Sequence, residues 1–398
     1  MKKILLILLV LLALVFILDK RFAFFSQPVQ PGEMVGTSTE PVTGERPQQV
    51  SYRIEEVVTG LKVPWSIVFT SPDRMLVAER DGTIRVVNNG SLVTAPLHTF
   101  SEVSVGGEEG LMSLALHPEY VNNKFIYASL AYEAGENMYV KVVRFKDEGD
   151  RLTEQKVIID KIPGARFHAG SRIAFGPDRK LYITTGDATD KNLAQRMNSL
   201  AGKLLRLNDD GTVPADNPFV NGVAGARAEL WSIGHRNSQG IAWHSVTGEL
   251  YSTEHGPSVF DGPAGGDEVN RIVKGGNYGW PLVSHDKTRE GTVSPLVTYT
   301  PAEAPGSAMI YSGDVFPQFK NNLFFGALKG EGLMRIVLDE NNPDVVVSYE
   351  KLPEVRYGRI REVTQGPDGF IYFTTSNRDG RGNPAAADDR IFRLVPER

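Results

Sequence analysis

From Ser51 onward, apolar and polar positions alternate in short runs, and each run is broken by a turn rich in Pro, Asp, Gly or Asn. Period two is the signature of strands with one buried face, so the pattern predicts a chain of short antiparallel strands. The runs recur as a unit: an alternating strand, a turn, a second β-rich strand, a polar loop and a third strand. Six copies can be counted. They begin at WSIVFTSPDRMLVAERDGTIRVV from Trp65, LMSLALHPEYVNNKFIYASLAYE from Leu111, RIAFGPDRKLYITTGD from Arg172, QGIAWHSVTGELYSTEHG from Gln239, AMIYSGDVFPQFKNNLFFGALKGEGLMRIVL from Ala308 and REVTQGPDGFIYFTTSNRDG from Arg361.

A unit of three or four strands cannot bury both of its faces alone, and six of them close most economically into an all-β, six-bladed β-propeller spanning residues 51–398. The segment YRIEEVV at 52–58 precedes the first full unit, and is expected to supply the outer strand of the last blade and so close the ring. A β-sandwich with added elements is the competing architecture, but sandwiches rarely repeat six times at this spacing. Lys191–Gly202 is the best candidate for an amphipathic helix.

Candidate chemistry concentrates in the stretch Phe167–Asp190, FHAGSRIAFGPDRKLYITTGDATD. If Arg172–Phe175 and Leu181–Thr185 pair as a hairpin, the residues flanking it meet at one end, and His168 comes to lie beside Asp187. An imidazole held by a carboxylate is a general base. A histidine capping a strand and an aspartate closing a turn would look the same in sequence. Polar residues also gather where the other units' loops would open on one end of the ring: Glu108 and Glu109, GHRNSQG at 234–240, EHGP at 254–257, ALKGEG at 327–332 and YGRIRE at 357–362. One base, one acid and four cations (Arg236, Lys329, Arg359 and Arg361) converging on one funnel suit a multiply anionic ligand.

Composition narrows the partners. A net charge of −5 carries no basic field for nucleic acid, so a small molecule is the expected ligand. The absence of cysteine excludes disulfides, thiolate metal sites and a cysteine nucleophile. At the N-terminus, a basic Met1–Lys3 and an apolar run Ile4–Leu18 followed by Asp19, Lys20 and Arg21 read as an export signal within residues 1–22, either a membrane anchor formed by an apolar helix or a cleaved signal peptide. Residues 23–50 read as a disordered linker, rich in Pro, Thr, Gly, Gln and Glu. The propeller is therefore expected on the periplasmic or extracellular side, touching membrane only through this segment.

Three stretches taken in order, HAGSRIAFGPDRKLYITTGD, GHRNSQGIAW, and EHGP followed by GGDEVNRIVKGGNYGWP (Gly265–Pro281), resemble the soluble quinoprotein glucose dehydrogenase and aldose sugar dehydrogenase family. The resemblance runs from roughly Gly60 to Leu394. It implies pyrroloquinoline quinone (PQQ) and Ca2+ as cofactors, an aldose as substrate and an external electron acceptor. By the same resemblance His168 is the base for the anomeric hydroxyl, Asp187 orients it, and Arg236 lies near the quinone oxygen. Asn237, Lys329, Arg359 and Arg361 contact the cofactor, and the carbonyls of Gly256 and Pro257 hold calcium. Asp267 and Glu268 could bind a second ion or belong to a turn bonded to nearby amides. Glu108 stands where the family usually presents a substrate-positioning glutamine, which places a negative charge beside the base. Two other readings of these residues are a calcium-dependent lactonase-type hydrolase and a non-catalytic sugar- or partner-binding propeller.

Overall fold

A computed structural model describes residues 49–342 and 344–397; the expected N-terminal helix and all but the end of the expected linker lie outside them. The strands form six antiparallel sheets, five of four strands and one of five. The innermost strands are Pro64–Ser71, Leu111–Leu116, Gly170–Phe175, Ser238–Trp243, Pro305–Ile310 and Ile360–Gln365, which open blades 1 to 6. Each packs against the next, and the last against the first, so the ring is closed.

Closure uses the expected device. Tyr52–Val58 pairs antiparallel with Ile391–Pro396, the third strand of blade 6, so the start of the propeller supplies the outer strand of its last blade. Neighbouring blades bury their faces against each other. One cluster joins Met309, Phe324 and Leu333 of blade 5 to Val363, Phe373 and Phe392 of blade 6. Another joins Leu76 and Ile84 of blade 1 to Leu114, Ile126 and Val143 of blade 2.

The hairpin at 170–185 forms as anticipated, with Ile173 opposite Ile183 and Phe175 opposite Leu181. The helix expected at 191–202 is shorter: only Lys191–Gln195 is helical, and in the tight 3-10 form. Asp190 caps its first turn by accepting from the Asn192 amide. The chain turns extended at Arg196, and the carbonyls of Leu193 and Ala194 also accept from the ammonium of Lys203. Among the described residues, no helix is long and apolar enough to cross a membrane.

Candidate functional site

Antiparallel blades bring two kinds of residue to one end of the ring: those entering an innermost strand and those leaving the second strand of a blade. The first kind here includes Glu108, His168, Arg236, Arg359 and Arg361; the second includes Arg80, Asp187, His255, Lys329 and Asp379. With the exception of Asp187, which lies behind the base, all of these line one cavity of about 420 Å3 at that end.

His168 Nδ1 and Asp187 Oδ1 are 2.7 Å apart, and both side chains are buried. Since the carboxylate can only accept, Nδ1 carries the proton and Nε2 keeps its lone pair, with no partner among the described residues. Asp187 is itself fixed: its Oδ1 accepts from the Thr189 amide at 2.8 Å, and its Oδ2 from Trp280 Nε1 at 2.8 Å. The backbone presents the imidazole by force of geometry. His168 sits in the left-handed region at φ 56°, and a Cβ on Gly186 would lie 1.8 Å from its carbonyl oxygen. Only glycine at 186 lets the two chain segments approach this closely.

Glu108 faces the base. Its Oε2 accepts from the His168 amide at 3.3 Å and from Asn237 Nδ2 at 3.2 Å, and Arg381 lies 3.5 Å from Oε1. Burial pushes this carboxyl up, but His255, His168 and Arg381 outweigh it and hold Glu108 below the usual carboxylate range. It is therefore an anion at neutral pH. Glu109 does not join it; its side chain is fully buried and, unlike Gly107 and Glu108 beside it, does not line the cavity. Asn237 is buried as well, and its Oδ1 accepts from the Gly170 amide, so it braces the base and Glu108 from behind.

The cations fall into two groups. Arg236 is paired with Asp261 at 2.8 Å, Arg359 with Asp379 at 2.7 Å, and Arg381 with Glu108. Arg80, Lys329 and Arg361 also line the cavity, and they form no ion pair with a described residue. Arg361 is the most constrained. It lies over the Trp65 ring, donates to Gln239 Oε1 at 3.0 Å, and is buried; burial and the neighbouring Arg359 and Arg80 push its guanidinium down to about 9, against the pull of Asp379 and Glu108. Below it, a buried Arg172–Glu362 pair at 2.7 Å ties blade 3 to blade 6 across the axis.

A planar polycarboxylate with an oxygen-liganded cation fits this donor set. Three cations lack an anion, and each would gain one. Of the two carbonyls expected to hold calcium, that of Pro257 already accepts from the Gly265 amide, which leaves it a second lone pair. Asp267 is a structural anchor: its oxygens accept from the amides of Gly256 at 2.8 Å and Ala304 at 2.6 Å. Glu268 bonds Asn270, and burial beside Glu254 pushes its carboxyl up to about 8, so it is a poor ligand for a cation. The two residues open the strand Asp267–Ile272 and do not form a turn, and of the pair only Asp267 is bonded to nearby amides. The ligand atoms of His168, Asp187 and Asp261 come within 4.8 Å of one another, but both carboxylates are already committed, Asp187 to the Thr189 amide and Trp280 and Asp261 to Arg236 and the Ser258 amide.

Sequence reasoning overlooked Arg80, Asp379, Arg381, Trp280 and Asp261 as site residues. Arg80 and Asp379 carried a usable signal, because they follow the second strand of their blades, as Asp187 does. Asp261 carried none and Trp280 only its place in the Gly265–Pro281 stretch, since both arrive on long connections between strands of blade 4.

The model of the family Glucose / Sorbosone dehydrogenase matches residues 61–385. The aldose sugar dehydrogenase of Escherichia coli (strain K12) is 34% identical, over 82% of this chain and 91% of its own. Among solved structures, a Thermus thermophilus oxidoreductase described as a glucose dehydrogenase is 43% identical with a TM-score of 0.80, covering 86% of this chain and 100% of its own. The PQQ-bound aldose sugar dehydrogenase of Streptomyces coelicolor is 31% identical with a TM-score of 0.74, covering 87% of this chain and 99% of its own.

Proposed function

This chain belongs to the glucose/sorbosone dehydrogenase family, and from that premise we propose that it is a quinoprotein that oxidises an aldose at C1 to the lactone with PQQ and calcium bound. One observation carries the reading. A buried imidazole with a carboxylate on Nδ1 and, among the described residues, no partner on Nε2 opens into the same cavity as three cations that have no anion among those residues. When bound, the quinone accepts the hydride that leaves C1. Everything else falls to the side chains.

His168 Nε2 takes the proton of the C1 hydroxyl, and Asp187 stabilises the imidazolium that results. The proton and the hydride leave together as the C1–O bond becomes a carbonyl, so no further reactant is needed. Glu108, braced by Asn237, presents a fixed acceptor to a sugar hydroxyl. Lys329 and Arg361, with Arg359 and Arg80, would hold the cofactor's carboxylates and quinone oxygens. Arg236 is oriented by Asp261 and by the His255 carbonyl at 3.1 Å, so that its charge is fixed before charge develops. The carbonyls of Gly256 and Pro257 would hold calcium. The Streptomyces coelicolor relative, by its name, carries this quinone, which supports the assignment. The apolar run at 4–18 favours export, with electrons passing to an external acceptor.

The hydrolase alternative requires several carboxylates free to ligate an ion. Here Glu108, Asp267 and Asp379 are each tied to amides or guanidinium groups, which disfavours it. The test is to incubate the full chain with PQQ and calcium, supply a panel of aldoses with a redox dye, and identify the product. Lactone formation that needs both additions is expected. Sugar-independent dye reduction, or hydrolysis of lactones in place of their formation, would overturn the proposal.

A further inference from the structure

Behind the base lies a buried charge that the reaction does not touch. Lys203 begins the third strand of blade 3 and is 0% exposed. Its Nζ donates to the carbonyls of Leu193 at 2.7 Å, Ala194 at 2.9 Å and Ala201 at 2.6 Å. Three acceptors match the three protons of an ammonium; a neutral amine has only two to offer them. No carboxylate touches it, and Asp187 is the charged group that acts on it through space, opposing the burial that pushes Lys203 down to about 7.

The carbonyls it gathers belong to the loop that leaves Asp187, and from there contacts lead back to the base. Ala194 O also accepts from the Gly234 amide, next to the segment bearing Arg236. The neighbouring Gln195 exchanges two hydrogen bonds with Asn277 at 2.9 Å and donates to the Trp280 carbonyl at 2.7 Å. Trp280 Nε1 in turn holds Asp187 Oδ2. We propose that Lys203 is a positioning residue for the His168–Asp187 pair: its ammonium folds the 187–202 loop so that Gln195 and Trp280 lock the carboxylate, and its charge tempers that carboxylate's pull on the imidazole. This rests on His168 as the base. The other charged groups near the imidazole are Glu108 and Asp261, the latter neutralised by Arg236.

Loss of the cation leaves the Asp187 charge less balanced and favours the imidazolium. In Lys203→Met, the acid limb of kcat/KM should therefore move to higher pH by about half a unit or more, while kcat falls and KM for the aldose stays put. The same upward displacement is expected in an NMR titration of His168 in quinone-free protein, which needs no turnover and so separates this inference from the sugar-oxidation reading. A Lys203→Met protein with a lower melting temperature but an unmoved His168 titration would overturn the proposal and leave Lys203 a purely structural group. Should that variant not fold, two measurements still decide. At pH 6 the unaltered protein should show an ammonium at Lys203 by 15N NMR, and a neutral amine contradicts the idea. Gln195→Met, which cuts the network but keeps the charge, should lower kcat without moving the acid limb; wild-type kcat in that variant overturns the positioning role.

Discussion

At the scale of single residues, the site separates groups that act from groups that hold. His168 owes its tautomer to one hydrogen bond at Nδ1 and its direction to a left-handed backbone that Gly186 accommodates. His168→Gln should cost about 10²–10⁴-fold in kcat, the usual worth of a general base, and leave quinone affinity unchanged in an equilibrium titration. Arg361 makes a separate prediction through its charge. Burial and the neighbouring Arg359 and Arg80 push its guanidinium down to about 9, so it remains a cation at neutral pH. An anionic ligand needs that cation, so Arg361→Gln should weaken PQQ affinity about 10-fold or more at pH 7; unchanged affinity would show that Arg361 does not hold the cofactor. The base, its carboxylate and four cations were legible in sequence because they fall at repeated positions of the unit. Trp280, Asp261 and Lys203 were not, since their roles depend on where unrepeated connections fold back.

Elements explain why those residues meet. The hairpin 170–185 was readable from alternation alone, and its pairing brings 168 and 187 to one end. Its weak point is the crossing of Gly186 over His168. Gly186→Ala would force a Cβ into the carbonyl oxygen, and should destabilise the protein by about 1–3 kcal/mol in denaturant titrations while displacing the base, so that kcat drops even in the folded fraction. A variant with wild-type kcat and stability would mean that the crossing is not required. The helix expected at 191–202 marks the limit of local reasoning. Its polar composition and its Asp190 cap are real helix signals, but the chain turns extended at Arg196, and the Ala194 carbonyl is met by the Gly234 amide and the Lys203 ammonium instead of a further turn.

The whole molecule is a ring whose closure joins its two ends. Tyr52–Val58 covers the edge of Ile391–Pro396, and the Tyr52 hydroxyl donates to Glu354 of blade 5. Deleting residues 49–58 should leave an open sheet edge, lower the melting temperature and promote aggregation, as followed by light scattering. An unchanged melting temperature would show that closure does not depend on this strand. Ring architecture also places the cations of blades 1, 5 and 6 opposite the base of blade 3 around one cavity, which is why a flat, multiply anionic cofactor can lie between them. That arrangement is the central claim, and the reduction of a redox dye by an aldose tests it most directly. The full chain is preloaded with PQQ and calcium and compared with His168→Gln loaded to the same occupancy. Sugar-dependent reduction by the unaltered protein is expected, absent without PQQ and at least about 10²-fold slower in the variant. Equal rates in the two loaded proteins, or no reduction with any aldose despite full loading, would contradict it.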